Sequence, residues 1–308
     1  MSGARRMDVR ARLQSIAEAT RARTAGIRIT DRVLKMRAAM ASSPGQVGKP
    51  NEDFVGAVPG AAVLLDGAGI PGTEAICRHG VAWYTHRLGA SLLGRLSRDR
   101  GLDLAMALAE SIEQVAREHR GTCDITNPSS PQSTVAMIRF DEDRADFLVL
   151  ADSFVVLDQP ETGPHVVADP REIAVRRECS AVLHGLPGGT PEYDRARLSA
   201  IEALRARRNQ PDGYWIAKED PHAATHAVTG SISLASLVGA ALLSNGASRI
   251  VDPYGLATWP AVLELMRTSG PSEIIQRVRG AEDAALSADT QPDVRPPDDA
   301  TAAYCEAG

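Results

Sequence analysis

This chain of 308 residues has little of what would set it outside the ordinary globular class. No charge-free stretch approaches the roughly 20 apolar residues that a bilayer-spanning helix needs, so no membrane segment is expected. Positive charge is not in excess either. Lys and Arg number 34 against 39 Asp and Glu, for a net charge of −5, and the arginines are scattered among acids, which argues against nucleic-acid binding as the main activity. Near the N-terminus Arg5, Arg6, Arg10 and Arg12 are interrupted by Asp8 and no apolar core follows, so a signal peptide is not expected. Cysteine is scarce and dispersed. Cys77, Cys123, Cys179 and Cys305 form no CxxC pair, which speaks against a zinc knuckle or a disulfide framework and for four mostly buried free thiols in a reducing cytoplasm. No GxSxG elbow surrounds Ser153 or Ser244, and His222 and His226 have no nucleophile in a recognisable context, so a serine hydrolase is not indicated. His79 and His86 share one helix face but complete no zinc motif, and read as surface or packing residues. Internal repeats and low-complexity linkers are also missing, which favours one domain over two.

What is present is an apolar content of 44%, enough for a substantial core, arranged in two alternating periodicities. Helical spacing predicts an N-terminal helix over residues 7–23, within a helical extension spanning 1–30 ahead of a main domain over 31–308. Further helices are predicted over about 73–97, 103–119, 171–183, 193–208, 258–268 and 271–287. Strands are predicted over 33–43 and 61–66, and as a hairpin of 133–140 and 145–151 around Asp141, Glu142 and Asp143. Residues 154–157 and 165–167 would continue that hairpin as an antiparallel meander, and 227–234, 237–244 and 301–305 complete the set. Tyr214 and Trp215 read as core or flap contacts. Long helices between antiparallel strands imply an α/β (α+β) fold with stacked sheets inside and helices outside.

The chemistry is carried by strand ends. The apolar run Ala61, Ala62, Val63, Leu64, Leu65 stops on Asp66 and Gly67, just after the turn Asn51, Glu52, Asp53. Two further strand ends carry oxygen ligands, at Asn245 and Gly246 and at Asp298 and Asp299. Hard divalent cations such as Mg²⁺ and Mn²⁺ favour octahedral oxygen sites that keep several waters, which carboxylates on rigid strand tips supply. Two such ions sharing a carboxylate lower the pKa of a water for in-line attack on a phosphoryl group.

In order and spacing these pieces resemble the PP2C-type metal-dependent serine/threonine protein phosphatases over roughly residues 33–306. Gly45, Gln46 and Val47 leading to Asn51, Glu52 and Asp53 look like the first family motif, and residues 63–67 the second. Gln132, Ser133 and Thr134 resemble the GST entry to a central strand, and residues 150–153 the GDS turn. Residues 243–246 are similar to the SDG motif and residues 298–301 to the terminal DNxT motif. The resemblance implies two packed antiparallel sheets flanked by helices in a four-layer sandwich. It implies two Mn²⁺ or Mg²⁺ ions, with Asp66 bridging them, the Gly67 carbonyl on one, Asp298 on the other, and Asn245 at a further ligand position. Glu52 and Asp53 would hold metal-bound waters, and the substrate would be phosphoserine or phosphothreonine in a phosphoprotein or signalling partner. A variable substrate flap falls over about 184–226.

Three departures from the pattern matter. Asn245 replaces an aspartate ligand and brings no charge, which weakens one metal position. Gly48 stands where many members carry a phosphate-gripping arginine, leaving the adjacent Lys49 as a point charge for the substrate phosphate. Ala68 stands where some members have a histidine. Asp152 and Ser153 read as a structural turn or as distal neighbours of the metal site. The alternative function is therefore a catalytically attenuated or inactive phosphatase-like module that binds a regulatory partner.

Overall fold

The computed structural model describes residues 36–69, 76–287 and 296–307; the N-terminal helix expected over 7–23 lies outside them. The order begins with β1 (Met36–Ser43), β2 (Phe54–Val58), β3 (Ala61–Ala68), α1 (Gly80–Arg98) and α2 (Leu104–His119). It continues with β4 (Gln132–Phe140), β5 (Arg144–Leu150), β6 (Phe154–Asp158), β7 (His165–Val167), α3 (Arg171–Ser180) and α4 (Pro191–Ala206). The last elements are β8 (Val228–Ser233), β9 (Gly239–Leu243), the single turn α5 (Asn245–Ser248), α6 (Trp259–Ser269), α7 (Pro271–Ser287) and β10 (Ala300–Ala307). Two five-stranded sheets result, in the orders β1-β10-β9-β6-β7 and β2-β3-β4-β5-β8, with antiparallel pairing throughout.

The two-residue period of a strand explains how the layers assemble. On β3, Ala62 and Leu64 face the second sheet with Ala136, Ile138, Val155, Leu242 and Ala303, while Val63 and Leu65 face Leu88, Leu92 and Leu108 of α1 and α2. On the far side, Val156, Ala241 and Ala302 turn outward onto Val262, Met266, Ile274 and Val278 of α6 and α7. The result is helix, sheet, sheet, helix. A strand buried on both faces cannot alternate polar and apolar residues, which is why 61–65 is one continuous apolar run. Each fully buried leucine in this arrangement contributes about 1.5–3 kcal/mol relative to exposure.

Local signals end the helices where expected. Asp103 accepts from Met106 N at 3.0 Å to cap α2, and Thr190 caps α4 ahead of Pro191. Gly270, at φ 85°, closes α6. The predicted meander after β5 is corrected: β6 and β7 belong to the other sheet, β6 pairing with β9, so the chain crosses between sheets at 151–153. Tyr214 and Trp215 are buried in the core.

Candidate metal centre

Asp66 is the sixth residue of β3, on the same face as Ala62 and Leu64, so its carboxylate emerges between the two sheets where they part. Gly67 points the other way, against α1. A Cβ there would lie 2.3 Å from the Glu52 carbonyl oxygen and 2.7 Å from Val81 Cγ1, so only glycine allows this approach. The 45–53 loop is fastened over the strand end. Asp299 accepts from Gly45 N at 2.8 Å and from Glu52 N at 2.5 Å, Asn51 Oδ1 accepts from Asp53 N at 3.0 Å, and Thr85 of α1 donates to the Glu52 carbonyl at 2.8 Å. Asp299, next to the expected ligand Asp298, acts as a clamp, each of its oxygens accepting from one of these backbone amides.

The late motifs lock onto one another. Ser244 Oγ accepts from Thr301 N at 2.9 Å, and a Cβ on Gly246 would lie 2.0 Å from the Asp299 carbonyl oxygen. This holds Asn245 over Asp66, whose Oδ2 accepts from Asn245 N at 2.9 Å. Asn245 Nδ2 donates to Asp152 Oδ2 at 3.1 Å, and Arg176 lies 3.7 Å from the same oxygen while pairing with Glu172. Asp298 Oδ2 accepts from Arg249 Nη2 at 2.8 Å, and that guanidinium also reaches the buried Glu282 at 3.2 Å. Lys49 sits on the exposed turn beside Gly48, which takes φ 84°, and its charge is felt at Glu52.

Asp53 is 3% exposed, and neither of its carboxylate oxygens has a hydrogen-bond partner. Burial pushes its pKa up to about 7; the hydroxyls of Thr301 and Ser244, close by but outside hydrogen-bonding geometry, counter this in part, and the charges of Asp299 and Asp298 add to it. Asp66 is raised well above the carboxylate range by burial, then by Asp53, Asp298 and Asp152. Asp152 rises to about 7 through burial and Glu172, with Arg176 opposing. Burial also raises Asp298, against the pull of Arg249, and raises Glu52 together with Asp299 and Asp298. A buried carboxylate without a partner is costly, and Asp66 beside it feels the charges of Asp53, Asp298 and Asp152. Arg249 and Arg176 answer Asp298 and Asp152, whereas Asp53 and Asp66 have no cation beside them, a deficit that a hard divalent ion bound by oxygen ligands would make good.

The structure thus gathers Glu52, Asp53, Asp66, Gly67, Asn245 and Asp298 at one end of the sandwich. Asp152, read as a structural turn or a distal neighbour of the metal site, is bonded to Asn245. Arg176 and Arg249 were missed; Arg249 lies four residues after Asn245, one helical turn on, the only sequence signal that pointed to it. His86 packs edge-on against Phe54, and the His226 ring stacks on Trp215 at 3.6 Å, as packing residues do. Cys77 and Cys123, expected as free thiols and found so, converge with His79 and His119 where α1 begins and α2 ends, far apart in sequence but adjacent because the two helices pack antiparallel.

The family model for protein phosphatase 2C matches residues 42–204, just over half of the chain. No curated protein matches. Among solved structures, the chain is similar to the serine/threonine phosphatase PstP/Ppp of Mycobacterium tuberculosis, at 18% identity and a TM-score of 0.54 over 88% of this chain and 98% of that one. It is similar also to the serine/threonine phosphatase Stp1 of Staphylococcus aureus, at 14% identity and a TM-score of 0.56 over 92% and 99%. A third likeness is to the catalytic domain of PstP in complex with two manganese ions, at 18% identity and a TM-score of 0.52 over 89% and 98%. At these identities the likeness carries the fold. The family match ends before Asn245 and Asp298, whose place at the site rests on the geometry above.

Proposed function

This chain belongs to the protein phosphatase 2C family, and from that footing we propose that it is a divalent-metal-dependent phosphatase acting on phosphoserine and phosphothreonine in proteins. The observation that carries this reading is Asp53, buried with two unpartnered oxygens beside Asp66. Asp66, the Gly67 carbonyl, Asp298 and the Asn245 amide oxygen would hold Mn²⁺ or Mg²⁺. When bound, the ions supply the charge that acidifies water and stabilises the phosphoryl group in flight. Asp53 and Glu52 would orient water by accepting its protons, and Asp53 is positioned for this by the Asn51 turn. Lys49, exposed at the rim, would attract the substrate phosphate as a point charge. Asp299 and Thr85 keep the acidic turn in place without touching substrate. The test is hydrolysis of an aryl phosphate and of a phosphothreonine peptide at millimolar Mn²⁺. Turnover that exceeds the Asp66→Asn variant supports the reading; turnover equal to that variant removes it.

A second reading, an attenuated phosphatase-like module that binds a phosphoprotein or signalling partner, is favoured by one specific observation. Asn245 spends its amide N–H on Asp152, and Arg249 already grips Asp298, so two expected ligand positions are partly satisfied within the protein. Calorimetry separates the two: a folded chain that takes up no Mn²⁺ belongs to the second class.

A further inference from the structure

Outside the acidic centre, one group of side chains has ligand atoms converging on a point. Cys77 and His79 lie on the segment that enters α1, His119 is the last residue of α2, and Cys123 follows one turn later. Their ligating atoms all lie within 4.8 Å of one another, and no other such group of His, Cys, Asp and Glu occurs among the described residues. Cys77 Sγ is 3.2 Å from His119 Nε2 and 4.0 Å from His79 Nδ1, and Cys123 Sγ is 3.3 Å from His79 Nδ1. Zinc bonds of about 2.3 Å to sulfur and about 2.0–2.1 Å to nitrogen describe a tetrahedron with edges of about 3.3–3.8 Å. The three measured edges bracket that range. A set this compact has room for a single ion rather than a cluster, and two thiolates with two imidazoles suit Zn²⁺.

We propose that Cys77, His79, His119 and Cys123 form a structural Zn²⁺ site. The two thiolates cancel the charge of the ion, so the closed site carries no net charge into the protein. Cys77 and His119 are buried, and His79 and Cys123 close the solvent side. Asp124 N donates to the Ile76 carbonyl at 2.9 Å, which ties the two ligand-bearing segments together, and Thr122 Oγ1 donates to the His119 carbonyl at 2.8 Å. Gly80 and Gly121 take φ 79° and 83° at the turns that aim the ligands inward. Trp83 stacks on His79 with ring centroids 4.4 Å apart and lies 4.6 Å from His119, walling both rings.

The site would pin the start of α1 to the end of α2. The first turns of α1 carry Val81, packed on Gly67, and Thr85, bonded to Glu52, so the zinc would steady the wall of the acidic centre without sharing a ligand with it.

The test uses the full chain, purified reduced and without added metal. Elemental analysis is expected to find about one Zn per chain, and exchange for Co²⁺ to give the thiolate-to-cobalt charge-transfer band of a tetrahedral site. The acidic centre has no thiolate and cannot produce that band. Zinc and band should persist in Asp66→Asn and disappear in Cys123→Ser, with His79→Gln as a second ligand variant should the serine protein fail to fold. A reduced, folded chain that binds no Zn²⁺ and gives no charge-transfer band with Co²⁺ would overturn the proposal. So would a ligand variant that keeps the band at wild-type intensity.

Discussion

At Asn245 the backbone N–H serves Asp66 Oδ2 and the side-chain N–H serves Asp152 Oδ2, at 2.9 and 3.1 Å. An aspartate at 245 would lose the second bond and set a third carboxylate against two that burial already raises. Asn245→Asp is therefore expected to lower the melting temperature of the metal-free protein and to tighten Mn²⁺ by about 10–100-fold, the scale on which a ligand's surroundings move metal affinity. Calorimetry and thermal melts with and without Mn²⁺ read both effects; an unchanged affinity would show that position 245 does not face the ion. Gly246 works by what it lacks, since a methyl there meets the Asp299 carbonyl oxygen at 2.0 Å. Gly246→Ala is expected to cost about 1–3 kcal/mol in denaturant unfolding, as overpacking does, and to loosen Mn²⁺ because Asp298 must move with its neighbour.

Among the elements, the passage from β5 to β6 is where the sheets exchange the chain, and Ala151 there adopts φ 63° while fully buried. A left-handed backbone costs a residue with a Cβ about 1–2 kcal/mol, so Ala151→Gly should lose its buried methyl with almost no change in stability. Ala136→Gly, on β4 and equally buried, has no such relief and should cost about 1–2 kcal/mol by the same unfolding measurement. Equal losses at the two positions would contradict the strain argument. This crossing marks a boundary of what the sequence discloses. The run 61–65 announces β3 because burial on both faces leaves no polar position, and its halt at Asp66 announces the site. The apolar, β-branched run 154–157 identifies a strand but not the sheet it joins, since both sheets bury apolar residues alike. Asp298 and Asp299 are the same residue type, and only the facing amides of Gly45 and Glu52 make one of them a clamp. Cys77, His79, His119 and Cys123 fit no short spacing rule because antiparallel packing of α1 on α2 assembles them, with Arg87 against Glu118 and Ser91 against Ser111.

For the whole molecule, the sandwich pays for its acidic end, and pH and metal should reveal this together. Asp53 and Asp152 hold pKa values of about 7 when folded against about 4 when unfolded. Between those values the unfolded chain has released protons that the folded chain retains, so stability falls as pH rises through this window. The metal-free protein should thus melt at a lower temperature at pH 8 than at pH 5, and Mn²⁺ should raise the melting temperature more at pH 8. A metal effect that is equal or larger at pH 5 would mean that the ion does not neutralise these carboxylates. No helix among the described residues is long and apolar enough to cross a membrane. The most direct test of the central claim is the rate of phosphate release from a phosphothreonine peptide as Mn²⁺ is titrated into chelator-treated protein. The account predicts a saturable rise from near zero that is lost in Asp66→Asn, whereas a rate indifferent to Mn²⁺, or the same in both proteins, would contradict it.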